Sequence, residues 1–525
     1  MTRLWAGCWF AIALAPWLLP AQVDAAVFDV KSYGAKGDGK ALDSPAINQA
    51  IEAAAGGGTV HFPAGTYVTG SIRLRSNLAL QFEPGTTLEA SADPAAYDAA
   101  EPNQWDQFQD FGHSHFHNSL IWGEGLENVS IQGPGLISGK ALARERGAAG
   151  DKAIALKLCR KVTLRDFSIL SGGHFGILAT GVDNLTIDNV TIDTNRDGID
   201  VDSCSNVRIS NASVNTPNDD AIVLKGTHAL GFARPTENVT IVNCLVSGYD
   251  IGSLLDGTYK RTVKQAPDRD GPTGRVKIGT ESEGDFRNIT IANVVFDRSR
   301  GLALESVDGA HLEDIAISNI TMREVSNAPI FIRLGSRMRA PEGTAVGSLR
   351  RVNISNVVVY DADPRYGSII SGIPGHDVED VKLSDIRILY RGGLTLDQVA
   401  KQPAELVNTF FFRATGGVPP REPYATPERE KEYPEPSMFG MLPAYGFFIR
   451  HATGIELNNV EVGYMKEDRR PAFVLDTVKG IDLEHVKAQK ASGVPTIVLQ
   501  NVEDFSVYRS SVPDAHVDKA DRKEM

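Results

Sequence analysis

The chain has 525 residues, 42% of them apolar and 23% charged, with 50 glycines and a formal net charge of −13. Those proportions exclude a disordered chain. The acidic balance argues against a nucleic-acid partner, whose affinity comes mostly from basic patches; a local cleft can still oppose the global sign, so an anionic ligand stays open.

In chain order, residues 1–25 read as a secretory signal. Arg3 supplies the positive start, Trp5 to Leu19 is apolar, and Val23-Asp24-Ala25 places small residues before a cleavage point after Ala25. A membrane anchor is the alternative, but the apolar stretch is short for a span and no later segment approaches spanning length. The expected location is therefore secreted or periplasmic, with no membrane span. Residues 26–110 are expected to form an N-terminal cap and the first coils. Within them, Asp43-Ser44-Pro45 followed by Ala46 to Ala55 predicts a short helix, capped by Ser44 or Asp43, with Ile47 and Ile51 as its apolar face. It is expected to plug the open end of the core.

A short phrase then recurs: Asn or Asp, an aliphatic, any residue, an aliphatic. Copies include Asn128-Val129-Ser130-Ile131, Asn184-Leu185-Thr186-Ile187, Asn206-Val207-Arg208-Ile209, Asn288-Ile289-Thr290-Ile291 and Asp380-Val381-Lys382-Leu383. Alternation of period two means strands with one buried face. Val162 to Leu185 is 23 residues and Leu185 to Val207 is 22. A turn of that length, with short strands and an Asn at a bend, is the unit of a parallel β-helix. A β-propeller needs about 40–45 residues per blade, and the leucine spacing of a leucine-rich repeat is absent. The predicted fold is all-β: a parallel β-helix over residues 111–513, with insertions at 249–274 and 391–446 and a solvated tail at 514–525.

The same register places the cysteines. Cys159 and Cys204 fall two coils apart, too far for a disulfide, and Cys244 takes a core position. The Asn-x-Ser/Thr triplets at Asn128, Asn184, Asn189, Asn238, Asn288 and Asn319 coincide with the repeat, so they read as ladder residues rather than glycosylation sites. His113, His115 and His117 alternate and would share a face if extended; a cleft wall or polar loop is favoured over zinc. Trp105, Phe108, Phe111 and Trp122 are candidates for stacking on sugar rings or for packing.

The carboxylates are the most informative residues. Asn195-Arg196-Asp197-Gly198-Ile199 aligns with Asn218-Asp219-Asp220-Ala221-Ile222 at an offset of 23, one coil. Asp197 and Asp220 are then expected to stack about 5 Å apart, with Asp219 adjacent. Crowded acids repel, which raises at least one pKa. One acid can donate a proton while others activate water; an acidic turn or a calcium site is the plainer reading.

Here the chain resembles glycoside hydrolase family 28, the polygalacturonases and rhamnogalacturonases. Asn195-Arg196-Asp197 is similar to the family's Asn-Thr-Asp, Asp219-Asp220 to its Asp-Asp, and the segment from Phe28-Asp29-Val30 through Gly37-Asp38-Gly39 to Phe62-Pro63-Ala64-Gly65 to its opening. The resemblance implies a right-handed β-helix and inverting hydrolysis, with Asp219 as general acid and Asp197 and Asp220 holding the attacking water. It implies an acid–base separation of about 6.5–9.5 Å. The chain also departs from the family. Its Gly-His-Gly falls at Thr273-Gly274-Arg275 and its Arg-Ile-Lys at Ala303-Leu304-Glu305, positions that the resemblance links to gripping a galacturonate carboxylate. Arg275 and Lys277 are the expected replacement charges. Asn195, Tyr249, Arg275, Lys277 and Glu305 are the substrate-binding candidates.

The expected function is an exported inverting hydrolase of a pectic polysaccharide or oligosaccharide, acting as a monomer without cofactor or metal. A rhamnose-containing backbone or an unusual uronide fits the lost cations better than plain polygalacturonate. A polysaccharide lyase on the same fold, or a non-catalytic carbohydrate-binding β-helix, are the alternatives.

Overall fold

A computed structural model describes residues 1–2, 26–143, 150–267, 270–402 and 421–525. The expected signal segment falls on residues 3–25 and lies outside the described residues. The rest is a parallel β-helix. One coil shows the plan: Phe175–Thr180 (β1), Asp183–Asp188 (β2) and Thr191–Asp193 (β3). The next coil repeats it as Asp197–Asp202 (β4), Ser205–Ser210 (β5) and Ser213–Asn215 (β6), each pairing in parallel with its counterpart. The repeat phrase is the second strand of each coil. Its aliphatics stack in a continuous column, Val129 on Val162 on Leu185 on Val207 on Val239. Each is buried, which stabilises by about 1.5–3 kcal/mol per side chain.

The Asn of the phrase bends the chain. Asn184, Asn206, Asn238, Asn288 and Asn293 all hold φ between 56° and 59°, a left-handed geometry that Asn tolerates best after Gly. Their amides form ladders across coils. Asn288 donates to Asn238 at 2.7 Å, Asn293 to Asn243 at 3.0 Å and Asn319 to Asn293 at 2.9 Å.

The plug is present as α1 (Ser44–Ala53), with Ile47 and Ile51 buried in the main core. Its cap differs from expectation. Asp43 makes no side-chain bond to the helix; its carboxylate accepts the Lys36 and Gly37 N–H groups at 2.7 and 3.0 Å. Pairing crosses residue 110 without a break, as Thr87 with Leu136 shows, so the first coils are continuous with the rest. Cys159, Cys204 and Cys244 are free and buried.

The expected solvated tail is instead a strand. Ala515–Glu524 (β12) runs antiparallel to Ile497–Tyr508 (β11), with Val517 opposite Phe505 and Ala520 opposite Val502. Its charges face solvent, and only Val517 and Ala520 turn inward. An exposed last coil would offer unpaired backbone groups, and β12 covers that edge.

The first strands of successive coils form one sheet: β4, then Ile222–Gly226 (β7), Val276–Ser282 (β8), Leu302–Ser306 (β9) and Ile330–Leu334 (β10). Its outward column should be solvated, yet Lys277, Glu305, Arg333 and Arg450 are buried. Residues 421–446, the described end of the second insertion, cover them. Arg333 donates to the carbonyls of Glu428 and Arg429, and Arg450 to that of Pro427. Met438, Phe439 and Leu442 of the same segment pack on Ala303, Phe331 and Phe448. The insertion is thus bolted across one half of this sheet.

Candidate active site

Asp197 opens β4, and Asp219 and Asp220 precede β7 in the next coil. The Gly198 N–H donates to the Asp220 carbonyl at 3.0 Å, which fixes the one-coil offset. The Asp220 N–H in turn donates to Asp197 Oδ1 and Asp219 Oδ1, each at 3.1 Å. One oxygen from each of the three carboxylates lies within 4.8 Å of the others. This is tighter than the 6.5–9.5 Å expected for an inverting pair, because a single coil spacing separates the residues.

Three environments distinguish the three acids. Asp220 is buried, which works to raise its pKa. Lys277 and Arg275 outweigh that and hold it well below the usual carboxylate range. Arg275 Nε donates to Asp220 Oδ1 at 2.7 Å, and Lys277 Nζ lies 3.4 Å from Oδ2. Asp197 is pushed far upward by burial and by the charges of Asp219 and Asp200; its nearest cation, Lys225, is 3.9 Å away and shared with Glu281. Asp219 is the most open of the three, its side chain 30% exposed, and is paired with Arg196 at 3.0 Å.

Arg196 also reaches His174 Nδ1 at 3.4 Å, while His174 Nε2 meets Asp110 Oδ1 at 2.8 Å. The Arg196 contact makes Nδ1 the acceptor, so Nε2 carries the proton. Burial, then the Arg196 charge, keeps this imidazole neutral, against the pull of Asp110. The chain Asp110–His174–Arg196–Asp219 is absent from the sequence reading, although His174, Arg196 and Asp219 follow one another at coil steps of 22 and 23 residues and only Asp110 comes from outside the period.

Arg275 and Lys277 sit at the acids, but not as free cations. Arg275 also binds Glu435 through Nη1 and Nη2 at 3.2 and 2.8 Å. Lys277 is shared with Glu305 at 3.3 Å. Glu305 is fully buried, accepts from Thr280 Oγ1 at 3.0 Å, and is pushed up to about 7, by burial first and despite Lys277 and Arg275. Asn195 accepts from Asn218 of the next coil, beside Asp219. Tyr249 is engaged by other groups: its hydroxyl donates to Asp297 and its ring packs on Tyr259 and Arg261, none of them a member of the acidic cluster.

Gly274 stands where the resemblance puts a histidine. Its φ is +46°, and a Cβ there would lie 2.0 Å from the Ser247 carbonyl oxygen. The backbone itself bars a side chain. Ala303, at the Arg position, is small because the insertion packs against it.

The three histidines do not share a face, because Phe111–Ser114 is a tight turn rather than a strand. His113 is buried with Nδ1 3.8 Å from Asp202; His115 meets the Glu101 carbonyl at 2.7 Å; His117 meets Glu124 at 2.8 Å. Trp105 and Phe108 pack edge-on to His228, Phe111 on His174, and Trp122 stacks on His117.

Residues 27–169 match the family described as rhamnogalacturonase A/epimerase, pectate lyase-like, and residues 113–263 match the right-handed β-helix region. A probable polygalacturonase of Vitis vinifera is 23% identical over 318 residues, 55% of this chain and 60% of that protein. An endo-polygalacturonase of Pectobacterium carotovorum is 23% identical over 320 residues, 55% of this chain and 76% of that protein. The chain is similar to glycoside hydrolase family 28. The polygalacturonase-like chain also shares its fold with the family 28 exopolygalacturonase of Yersinia enterocolitica, at TM-score 0.63 and 17% identity over 89% of this chain and 79% of that one. An exopolygalacturonase of Thermotoga maritima superposes at TM-score 0.58 and 21% identity, covering 70% of this chain and 88% of that one. Among the described residues no helix is long and apolar enough to cross a membrane.

Proposed function

We propose that the protein is an exported glycoside hydrolase of a pectic saccharide, acting through Asp197, Asp219 and Asp220. The observation that carries this reading is the separation of the three acids into unlike environments within 4.8 Å. Pushing neighbouring carboxyl pKa values apart is how one site holds an acid and a base together. Asp220, kept anionic by Lys277 and Arg275, is the base that accepts the proton of the attacking water. Asp219, open to the cleft, faces the leaving oxygen. Burial, then the charges of Asp219 and Asp200, push the Asp197 carboxyl far upward, so Asp197 holds a proton beside Asp219, and a proton is passed to the leaving oxygen through Asp219. The anomeric carbon–oxygen bond breaks as the water oxygen bonds to that carbon on the opposite face, which inverts its configuration; the acids stand closer than the usual inverting pair, so the anomer of the first product decides between inversion and retention. The relatives' names place polygalacturonides among the substrates to try, and the matched family adds rhamnogalacturonan.

The test is a product profile on homogalacturonan, rhamnogalacturonan backbone and short oligomers of each, read by mass spectrometry and by NMR of the first-formed anomer. Wild type is expected to release saturated, inverted products, and Asp219→Asn to lose about 10²–10⁴ in rate while melting unchanged. A retained anomer would refute direct displacement. An unsaturated product would establish a lyase, and binding without cleavage in both proteins would make the acids structural.

A further inference from the structure

The insertion places one carboxylate where nothing in the local repeat predicts it. Glu435 is 160 residues from Arg275 in sequence, yet it is 1% exposed and seated against the acidic cluster. It takes Arg275 Nη1 at 3.2 Å and Nη2 at 2.8 Å, Arg300 Nη1 at 2.9 Å and Asn327 Nδ2 at 3.2 Å. A planar carboxylate held by a two-toothed guanidinium, a second guanidinium and an amide is how proteins bind a free carboxylate ligand. Here the ligand is part of the chain. Arg275, Arg300 and Lys277 are answered within the pocket by Asp220, Glu435 and Glu305, and little uncompensated positive charge remains for an acidic sugar.

We propose that Glu435 is an internal stand-in for a substrate carboxylate, so that the subsite beside Asp220 takes a neutral sugar residue and rejects a uronate. The inference rests on the hydrolase reading for its biological sense, but its core, an internally filled carboxylate pocket, stands without turnover. Rejection follows from charge. A uronate entering beside Glu435 would add a carboxylate to a pocket whose cations are already paired, and like charges brought together at a desolvated site are strongly disfavoured. Anchorage of the insertion by Arg333 and Arg450 keeps Glu435 from swinging aside.

The experiment compares wild type with Glu435→Gln, which keeps the shape and removes the charge. The probes are galacturonic acid and its neutral counterpart galactose, titrated by calorimetry at low and high salt. The expected result is at least a tenfold gain in galacturonate affinity for E435Q over wild type, abolished by high salt, with galactose affinity unchanged. Equal galacturonate affinity in the two proteins, with melting temperatures matched, would overturn the proposal. A second measurement needs no variant: wild-type hydrolysis is expected to be inhibited no better by galacturonate than by galactose, and stronger inhibition by the acid would also overturn it. If no substrate is cleaved at all, the hydrolase reading fails, while the titration still decides the pocket.

Discussion

Replacing Lys277 by Met removes one of the two cations that keep Asp220 ionised. Nζ lies 3.4 Å from Asp220 Oδ2, with both side chains buried. At an effective dielectric of about 20, unit charges at that distance attract by about 5 kcal/mol. Arg275 stays in place at 2.7 Å, and without Lys277 Glu305 takes up a proton more readily and repels Asp220 less, so we take somewhat under half, about 2 kcal/mol, as the net change. At about 1.4 kcal/mol per pH unit, the Asp220 pKa rises by about 1.5 units. A base must be anionic, so the acid limb of kcat/KM against pH moves upward by the same amount, and the basic limb stays. The assay is the pH profile of both proteins on whichever oligosaccharide is cleaved, with thermal melts as the folding control. An active, folded K277M whose acid limb has not moved would refute the assignment of Asp220 as the base tuned by Lys277.

Asp200 sits in the same sheet, fully buried, with neither oxygen hydrogen-bonded, and burial and neighbouring acids raise its pKa well above the carboxylate range. A raised acid binds more protons folded than unfolded, so stability is lost as pH climbs above the ordinary carboxylate value of about 4, by up to about 1.4 kcal/mol per pH unit until the folded pKa is passed. Asp200→Asn should flatten this fall in urea titrations between pH 4 and 8; an unchanged slope would show that Asp200 does not set it. Asn293→Ala removes two ladder bonds, at 3.0 and 2.9 Å, from a residue with φ of 57°, and should cost about 1–2 kcal/mol in the same assay. Deleting residues 514–525 uncovers β11 and should lower the melting temperature and bring concentration-dependent aggregation by light scattering; a soluble, unshifted truncation would show that the edge needs no cover.

What the sequence made legible is what the coil period governs. Asp197 and Asp220 differ by one coil, so their juxtaposition follows from the same 22–23-residue step that stacks Val162, Leu185 and Val207. The same step places Lys277 and Glu305 near them, once the insertion between β7 and β8 is allowed for. Tyr249 begins that insertion, where the register no longer says which way a side chain points. The histidines share no face because a turn at Phe111–Ser114 breaks the alternation that an extended segment would need. The tail misled because a covering strand needs only Val517 and Ala520 to face inward, too few to outweigh its charges.

The cleft's charge therefore has two origins. One is periodic: acids and bases delivered by consecutive coils at fixed spacing. The other is delivered from outside the period, by Asp110 behind His174 and Arg196 and by Glu435 behind Arg275. The periodic set supplies the three acids and the cations nearest to them. The imported set ties down Arg196 and Arg275, the guanidinium partners of Asp219 and Asp220, and in our reading decides which sugar charge the site tolerates. Small residues at Gly274 and Ala303 are the trace of that import: one has no room for a side chain, and the other yields its space to Met438, Phe439 and Leu442. Returning a cation to position 303 would then not restore a uronate grip, because the insertion that brings Glu435 would have to lift first.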